Sequence, residues 1–304
     1  MEMIGNFINN KVTRIKNDRF LENISNLIKE GERQKLDLYR LNNRLKSQLL
    51  NCTKLNEILN AKMEVDSIPW RLTEKINENS IGYLTNYRDM KEIDTSCEER
   101  INIFNNIVDD ISKCCNKISQ YNDVIEDIKS YIDSKEMPVS FDSLIKFGFD
   151  KNKNLICLLC DFGKQEITRI KSLEVDIFYG KFHENKDYYA GKGLMQLGVH
   201  VIGCHPSIEI KVIDVRTKVK RTGIGSFTLK WMEEVIIAEL NRRIDEFNIE
   251  PKSEEDNIEF YHIGKIYGCS GTLSSDTDSE AREKFYTKNG YIMDGNTFRK
   301  ILEH

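Results

Sequence analysis

Glycine is distributed so unevenly along the chain that two differently built regions are required. Of 17 glycines in 304 residues, only Gly5, Gly31 and Gly82 precede Pro138, and the other 14 follow it. Glycine weakens helix interiors and marks turns and close backbone approaches. The first region therefore reads as helical and the second as a turn-rich domain of mixed α/β or α+β class. The boundary falls near 136–140, giving expected domains 1–136 and 137–304.

Apolar spacing in the first region supports the division. Phe104, Ile111, Ile118, Ile125 and Ile132 recur every seven residues, with Ile101, Val108 and Cys115 offset by four, which is the seam of a coiled-coil-like helix. A second seam runs through Leu38, Leu45, Cys52 and Leu59, joined by Leu49 and Met63, with Asn42 and Asn56 at the alternate positions. Buried Asn lowers stability and fixes register or partner number. Pro69, Trp70 and Gly82 interrupt the pattern, so two long helices flanking a shorter one are expected. They suit a homo-oligomer paired through these helices as well as a solvated bundle beside the second domain, and the spacing does not choose.

The second region alternates short strands and helices. Strand-like runs are 155–161, 173–182, 199–203, 208–215, 258–268 and 297–302, while 226–247 and 279–288 carry helical periodicity. Hydrophobic residues make up 39% of the chain, enough for a real core, and 45 Lys+Arg against 49 Asp+Glu leave a net charge of −4 without a long block of one sign. Nucleic acid is not implied as a partner. No apolar run approaches the roughly 18 residues that cross a bilayer, and the start of the chain lacks a basic segment leading into an apolar stretch. A cytoplasmic protein without a membrane partner is expected. The eight cysteines agree, since Cys114-Cys115 falls in a helical pattern and Cys157 and Cys160 in an apolar strand, as structural thiols do.

The strongest constellation for chemistry runs from Ile208 to Phe247. A strand-like I-E-I-K-V-I-D-V leads into R-T-K-V-K-R-T-G-I-G-S and then into a long helix with Phe227, Trp231, Val235, Ile236 and Leu240 on one side. A strand, a glycine turn and a helix N-terminus together present free backbone N–H groups at the positive end of the helix dipole. Gly223 and Gly225 let an anion approach, and Lys220 and Arg221 add charge. A diphosphate suits that geometry, although a glycine pair at such a turn also serves simply as a tight turn. It matches neither best-known phosphate loop: Thr228 stands where G-x-G-x-x-G needs its third glycine, and no G-x-x-x-x-G-K-[ST] occurs.

Here the chain resembles the GNAT (GCN5-related N-acetyltransferase) superfamily, whose acetyl-CoA loop has the form [Q/R]-x-x-G-x-[G/A] after a strand. The corresponding run is Lys220-Arg221-Thr222-Gly223-Ile224-Gly225, with Lys in the first place. About 60 residues on, Lys284-Phe285-Tyr286-Thr287-Lys288-Asn289-Gly290-Tyr291 resembles the family's F-Y-x-K-x-G-F element at the end of its last helix. The resemblance covers roughly 138–304. It implies a GNAT-like acyl-CoA transferase fold and acetyl-CoA as co-substrate, without a metal. By resemblance the amides of Arg221 through Ser226 cradle the pyrophosphate, and the backbone of Ile213–Val215 holds the pantetheine. Tyr286 then matches the tyrosine that protonates the departing thiolate, and Glu209 a strand glutamate that deprotonates the amine acceptor. A core tyrosine and a solvated strand face are the plainer readings of those two residues.

Two departures bear on the acceptor. Only about a dozen residues separate the first two strands, where the family usually has two helices, so 182–194 or the N-terminal helices are the candidates for the acceptor site. Ser279 replaces an Asn that usually contacts the cofactor. The acceptor is expected to be a primary amine on a protein, a polyamine or a small molecule. A non-catalytic acyl-CoA-binding or sensing module, or a coiled-coil interaction protein with a vestigial fold, fits the same residues. Other features are set aside. Asp276–Glu280 starts like a calcium loop, but Ala281 and Thr287 replace its Gly and its bidentate Glu, so it reads as a helix start. His183, His200, His205 and His262 lack metal-ligand spacing, and Cys269 has no identifiable base.

Overall fold

The computed structural model describes residues 2–55, 57, 95–134, 143–163, 166–179, 191–202, 207–216, 221–250, 259–269 and 276–302. The chain divides into two compact units, one of residues 1–48 and 63–119, the other of residues 49–62 and 120–304. Among the described residues no helix is long and apolar enough to cross a membrane.

Among the described residues the first unit consists of α1 (Glu2–Asn51) up to residue 48 and α2 (Thr95–Ser134) up to residue 119. Of the seam residues, Phe104, Ile111 and Ile118 on α2 and Leu45 on α1 are buried, while Ile101, Val108, Cys115 and Leu38 are half-buried; Ile107 and Ile24, outside the expected seams, are buried as well. Lys35 binds Asp110 at 2.6 Å, Cys114 Sγ donates to the Leu38 carbonyl at 3.5 Å, and Arg100 reaches Ser25. These contacts keep a constant sequence offset of 75 or 76 residues, so the two helices run in the same direction. Asn42 keeps its Oδ1 buried without a hydrogen-bond partner among the described residues, at a cost tolerated where a polar group sets register. Leu59, Asn56, Met63 and the expected shorter helix lie outside the described residues.

In the second unit, β1 (Leu144–Phe149), β2 (Leu155–Cys160), β3 (Ser172–Tyr179), β4 (Gly191–Ile202), β5 (Ser207–Arg216), β6 (Tyr261–Cys269), β7 (Ile292–Asp294) and β8 (Thr297–Ile301) form one sheet. It has eight strands in the order β1-β2-β3-β4-β5-β6-β8-β7. Every pair is antiparallel except β5 with β6. A parallel pair needs a crossover, supplied here by α3 (Ile224–Trp231), a π-helical turn (Met232–Ile236) and α4 (Ile237–Ile249). Helix α5 (Asp276–Lys288) precedes the closing hairpin.

The fold follows from which faces each strand buries. On one face Ile156, Leu158, Val175, Ile177, Met195, Leu197, Ile208 and Ile210 share a core with Leu229, Met232, Ile236, Leu240 and Ile244 of the crossover. On the other face of β1–β3, residues 120–134 of α2 supply Tyr121, edge-on to Phe149 at 6.4 Å, and Tyr131, edge-on to Phe178 at 5.5 Å. β2 is thus buried along its whole length, which is why it reads as an unbroken apolar run. Burial also pushes the Cys157 and Cys160 thiols up, away from nucleophilic chemistry. Strand β1 has no counterpart among the runs expected from the sequence. The turn after it is set by Asp150 Oδ1, which accepts from the Asn152 and Asn154 amides at 2.9 and 2.8 Å.

Two tyrosines give the second unit a measurable alkaline limit. Burial, and then a hydrogen bond to a carboxylate, raise the pKa of Tyr131 beside Asp176 and of Tyr291 beside Glu233. Above about pH 10 the unfolded chain loses these protons and the native one retains them. Stability from this source is therefore fully present below pH 10 and falls above it. The loss reaches up to about 1.4 kcal/mol per pH unit for the deeply buried Tyr291 and is smaller for Tyr131, which solvent screens in part. Difference absorbance at 295 nm against Tyr131→Phe and Tyr291→Phe variants should show both phenols ionising only with unfolding. Ionisation in the native state with a midpoint near 10 would contradict this.

Candidate functional site

The site begins where β5 and β6 part company. Their parallel register runs from Ser207 with Tyr261 to Val212 with Gly268, while β5 continues to Arg216 paired to β4. Gly268 makes the divergence point possible, because a Cβ there would lie 2.6 Å from the Val212 carbonyl oxygen and 2.4 Å from Phe298 Cζ. Between Val212 and Asp214 the pairing with β4 skips Ile213, a β-bulge that turns this residue outward, half exposed. Beyond the split, Ile213–Arg216 have no β6 partner among the described residues. Val215 is partly buried against the core.

The described end of the turn after β5 is built on left-handed backbone. Lys220 lies outside the described residues. Arg221 (φ 64°) and Gly223 (φ 88°) both take the left-handed conformation, which costs a non-glycine residue about 1 kcal/mol and turns successive amides to one side. Gly223 is the N-cap of α3 and offers no side-chain cap, so the first amides of α3 depend on another acceptor. Thr222 is buried, with 8% exposure, and its Oγ1 has no hydrogen-bond partner among the described residues. Its backbone carbonyl accepts from the Lys151 amide at 2.9 Å. Ile224 points into the core, leaving only its backbone to face the turn.

The two sequence motifs meet at this point. A Cβ on Gly225 would sit 3.1 Å from Phe285 ring carbons, and Asn289 Nδ2 donates to Ser226 Oγ at 3.2 Å. Tyr286, one residue on from Phe285, is buried with its ring stacked on Phe298 at 3.7 Å and edge-on to Tyr291 at 5.8 Å. Ser279 belongs to the first turns of α5, and its side chain lies outside the described residues, as do 182–190. The Asp276–Glu280 run is the start of α5.

Glu209 lies on the other face of the sheet, 18% exposed, with its carboxylate 3.2 and 3.4 Å from Lys265 Nζ. Residue types in sequence give no sign of that pairing, nor of the contact between Asn289 and Ser226. A separate pocket of about 400 Å³ at the other end of the unit is lined by Lys54, Ser143, Asp161, Arg242 and Arg243, among others, and none of the site residues reaches it. His262 binds Asp245 at 2.7 Å; His183 and His205 lie outside the described residues. No protein-family model, curated protein or solved structure matches the chain.

Proposed function

We propose that residues 138–304 are a GNAT-type acyltransferase domain that binds acetyl-CoA in the split between β5 and β6 and moves the acetyl group to a primary amine. The observation that carries this reading is that split, opening toward a left-handed glycine turn at the N-terminus of α3. A long, flexible thioester with a diphosphate in its middle needs both features side by side. The β5 backbone beyond Val212 offers strand-type hydrogen bonds to pantetheine amides. The turn offers amides, the helix dipole and the Thr222 hydroxyl to the pyrophosphate. The element order, with the turn after β5 and with Phe285-Tyr286 on the helix before the closing hairpin, agrees with the order the two motifs imply.

The chemistry then balances with this chain's own groups. The neutral amine attacks the thioester carbonyl carbon; the N–C bond forms, the C–S bond breaks and CoA leaves as thiolate. Backbone N–H groups at the Ile213 bulge polarise the carbonyl oxygen. Tyr286 protonates the thiolate, and Glu209 takes the amine proton through a water.

Tyr286→Phe removes the acid and retains the ring and its stack on Phe298. In an assay of thiol release, kcat should fall by about 10²- to 10⁴-fold while acetyl-CoA binds as in the unsubstituted protein. An unchanged kcat would count against the role of Tyr286. Binding without turnover in either protein would favour a sensing module.

A further inference from the structure

The sheet face opposite α3 and α4 says what kind of amine the site takes, an inference that rests on the acetyl-transfer reading above. Ile208, Ile210 and Val212 of β5 enter the core, so alternation turns Glu209 and Lys211 to the opposite face. Lys265 and Tyr267 flank core residue Ile266 on β6, and Arg299 follows core residue Phe298 on β8. Cross-strand register sets these residues in two transverse rows. One row is His200, Glu209, Lys265 and Ile301; the next is Gly198, Lys211, Tyr267, Arg299 and Ile292. The second row is the last on this face before the strands diverge, so it borders the place where the thioester would lie.

The rows differ in charge. In the first, Glu209 and Lys265 neutralise one another at 3.2 Å. The second holds two cations, Lys211 and Arg299, on either side of Tyr267 and no carboxylate. Among the described residues neither cation has an ion-pair or hydrogen-bond partner. Lys265 Nζ, paired with Glu209, packs 5.1 Å from the Tyr267 ring centroid. Adjacent strands are about 4.8 Å apart, which puts the Lys211 and Arg299 backbones about 10 Å apart, a span that two long side chains close on one small anion. A Cβ on Gly198 would lie 2.6 Å from His200 Nε2 and 3.5 Å from Ile213 Cδ1, so the missing side chain lets the imidazole lean into this row as well. The carboxylates beyond belong to the following row, Asp214 opposite Gln196 on the β4 side and Asp294 with Cys269 and Thr297 on the β8 side.

A polycationic acceptor meets like charge at Lys211 and Arg299 in this row, and like charges at short range are an effective means of excluding a competitor. An anion beside the amine turns the same charges into attraction. We infer that the acceptor is a small primary amine carrying a carboxylate or phosphate within a few bonds, with Lys211 and Arg299 binding that anion while the amine faces the thioester.

The test uses the full chain, acetyl-CoA and paired acceptors: β-alanine against its amide, O-phosphoethanolamine against ethanolamine, and spermidine, compared at equal concentrations of neutral amine. The anionic member of at least one pair should show kcat/KM about tenfold or more above its neutral partner, with spermidine slowest; the two pairs separate carboxylate from phosphate. Lys211→Gln with Arg299→Gln should remove the preference through KM, leaving the acetyl-CoA Kd unchanged. Preferred turnover of a neutral amine or of spermidine overturns the inference and leaves acetyl transfer standing. Turnover of none of the five by a protein that binds acetyl-CoA also overturns it. Absence of acetyl-CoA binding removes both readings.

Discussion

Gly225→Glu should abolish acetyl-CoA binding while the domain stays folded. The substituted carboxylate would stand in the first turn of α3, where the turn amides and the helix dipole favour a ligand's negative charge. Repulsion between carboxylate and pyrophosphate at close range is worth several kcal/mol, so a loss of at least about a hundredfold is expected, equivalent to ~2.7 kcal/mol. Gly225 has ordinary helical surroundings apart from Phe285, whose ring carbons lie 3.1 Å from the position of an added Cβ. Gly225→Ala is therefore the control for size. It should retain binding within about tenfold, because the ring needs to give only a few tenths of an ångström, and an alanine is favoured over glycine inside a helix by about 0.5–1 kcal/mol. Equal loss in both variants would point to packing instead of charge.

Glu233→Ala should destabilise the second unit strongly. Glu233 sits in the π-helical turn, where it accepts from the Tyr291 hydroxyl at 2.7 Å and from Lys300 Nζ at 2.6 Å. Both partners belong to the closing segment, and Lys300 also lies 5.4 Å from the Tyr291 ring centroid. The ion pair is mostly enclosed, with side-chain exposures of 26% for Lys300 and 17% for Glu233. Removing the carboxylate strands a buried phenol and a half-buried ammonium, and breaking such a buried pair costs about 3–5 kcal/mol; the residual exposure here brings the expectation to about 2–4 kcal/mol. Urea denaturation monitored by fluorescence measures it. A change below about 0.5 kcal/mol would mean that the pair is solvated and that the closing hairpin is held by the Tyr286, Tyr291 and Phe298 rings alone.

The π turn itself has no sequence signature, since Met232-Glu233-Glu234-Val235-Ile236 continues the helical pattern on both sides. What is legible follows the strength of local periodicity. β2 is evident because both of its faces are buried, and the long helices because their apolar positions hold a seven-residue spacing. The direction of α2 relative to α1 is not, because a heptad specifies which face is apolar and not which way the neighbour runs. β1 escapes because Lys146 and Gly148 interrupt its apolar run. β4 begins at Gly191, well before the expected 199, since Gly191, Gly193 and Gly198 look like turn residues and only cross-strand pairing with β3 shows otherwise.

The candidate site divides in the same way. The glycine turn and the Phe285-Tyr286 element are local and can be read from residue order. Their meeting through Gly225, Phe285, Ser226 and Asn289 joins segments about 60 residues apart. The split between β5 and β6 is equally a product of the whole sheet, with the bulge at Ile213 and the tight approach at Gly268 lying on different strands. The partnership of Glu209 with Lys265 spans 56 residues, and among the described residues Lys211 and Arg299 in the next row have no ion-pair partner.

Calorimetric titration of acetyl-CoA into the full chain tests the central claim most directly. The account predicts one site per chain, lost in Gly225→Glu, and a matching rise in unfolding temperature, because a ligand confined to the native state adds about 2.7 kcal/mol at 100 times its Kd. Neither heat nor thermal shift at millimolar acetyl-CoA would contradict it, leaving a split sheet and a glycine turn that serve the fold alone.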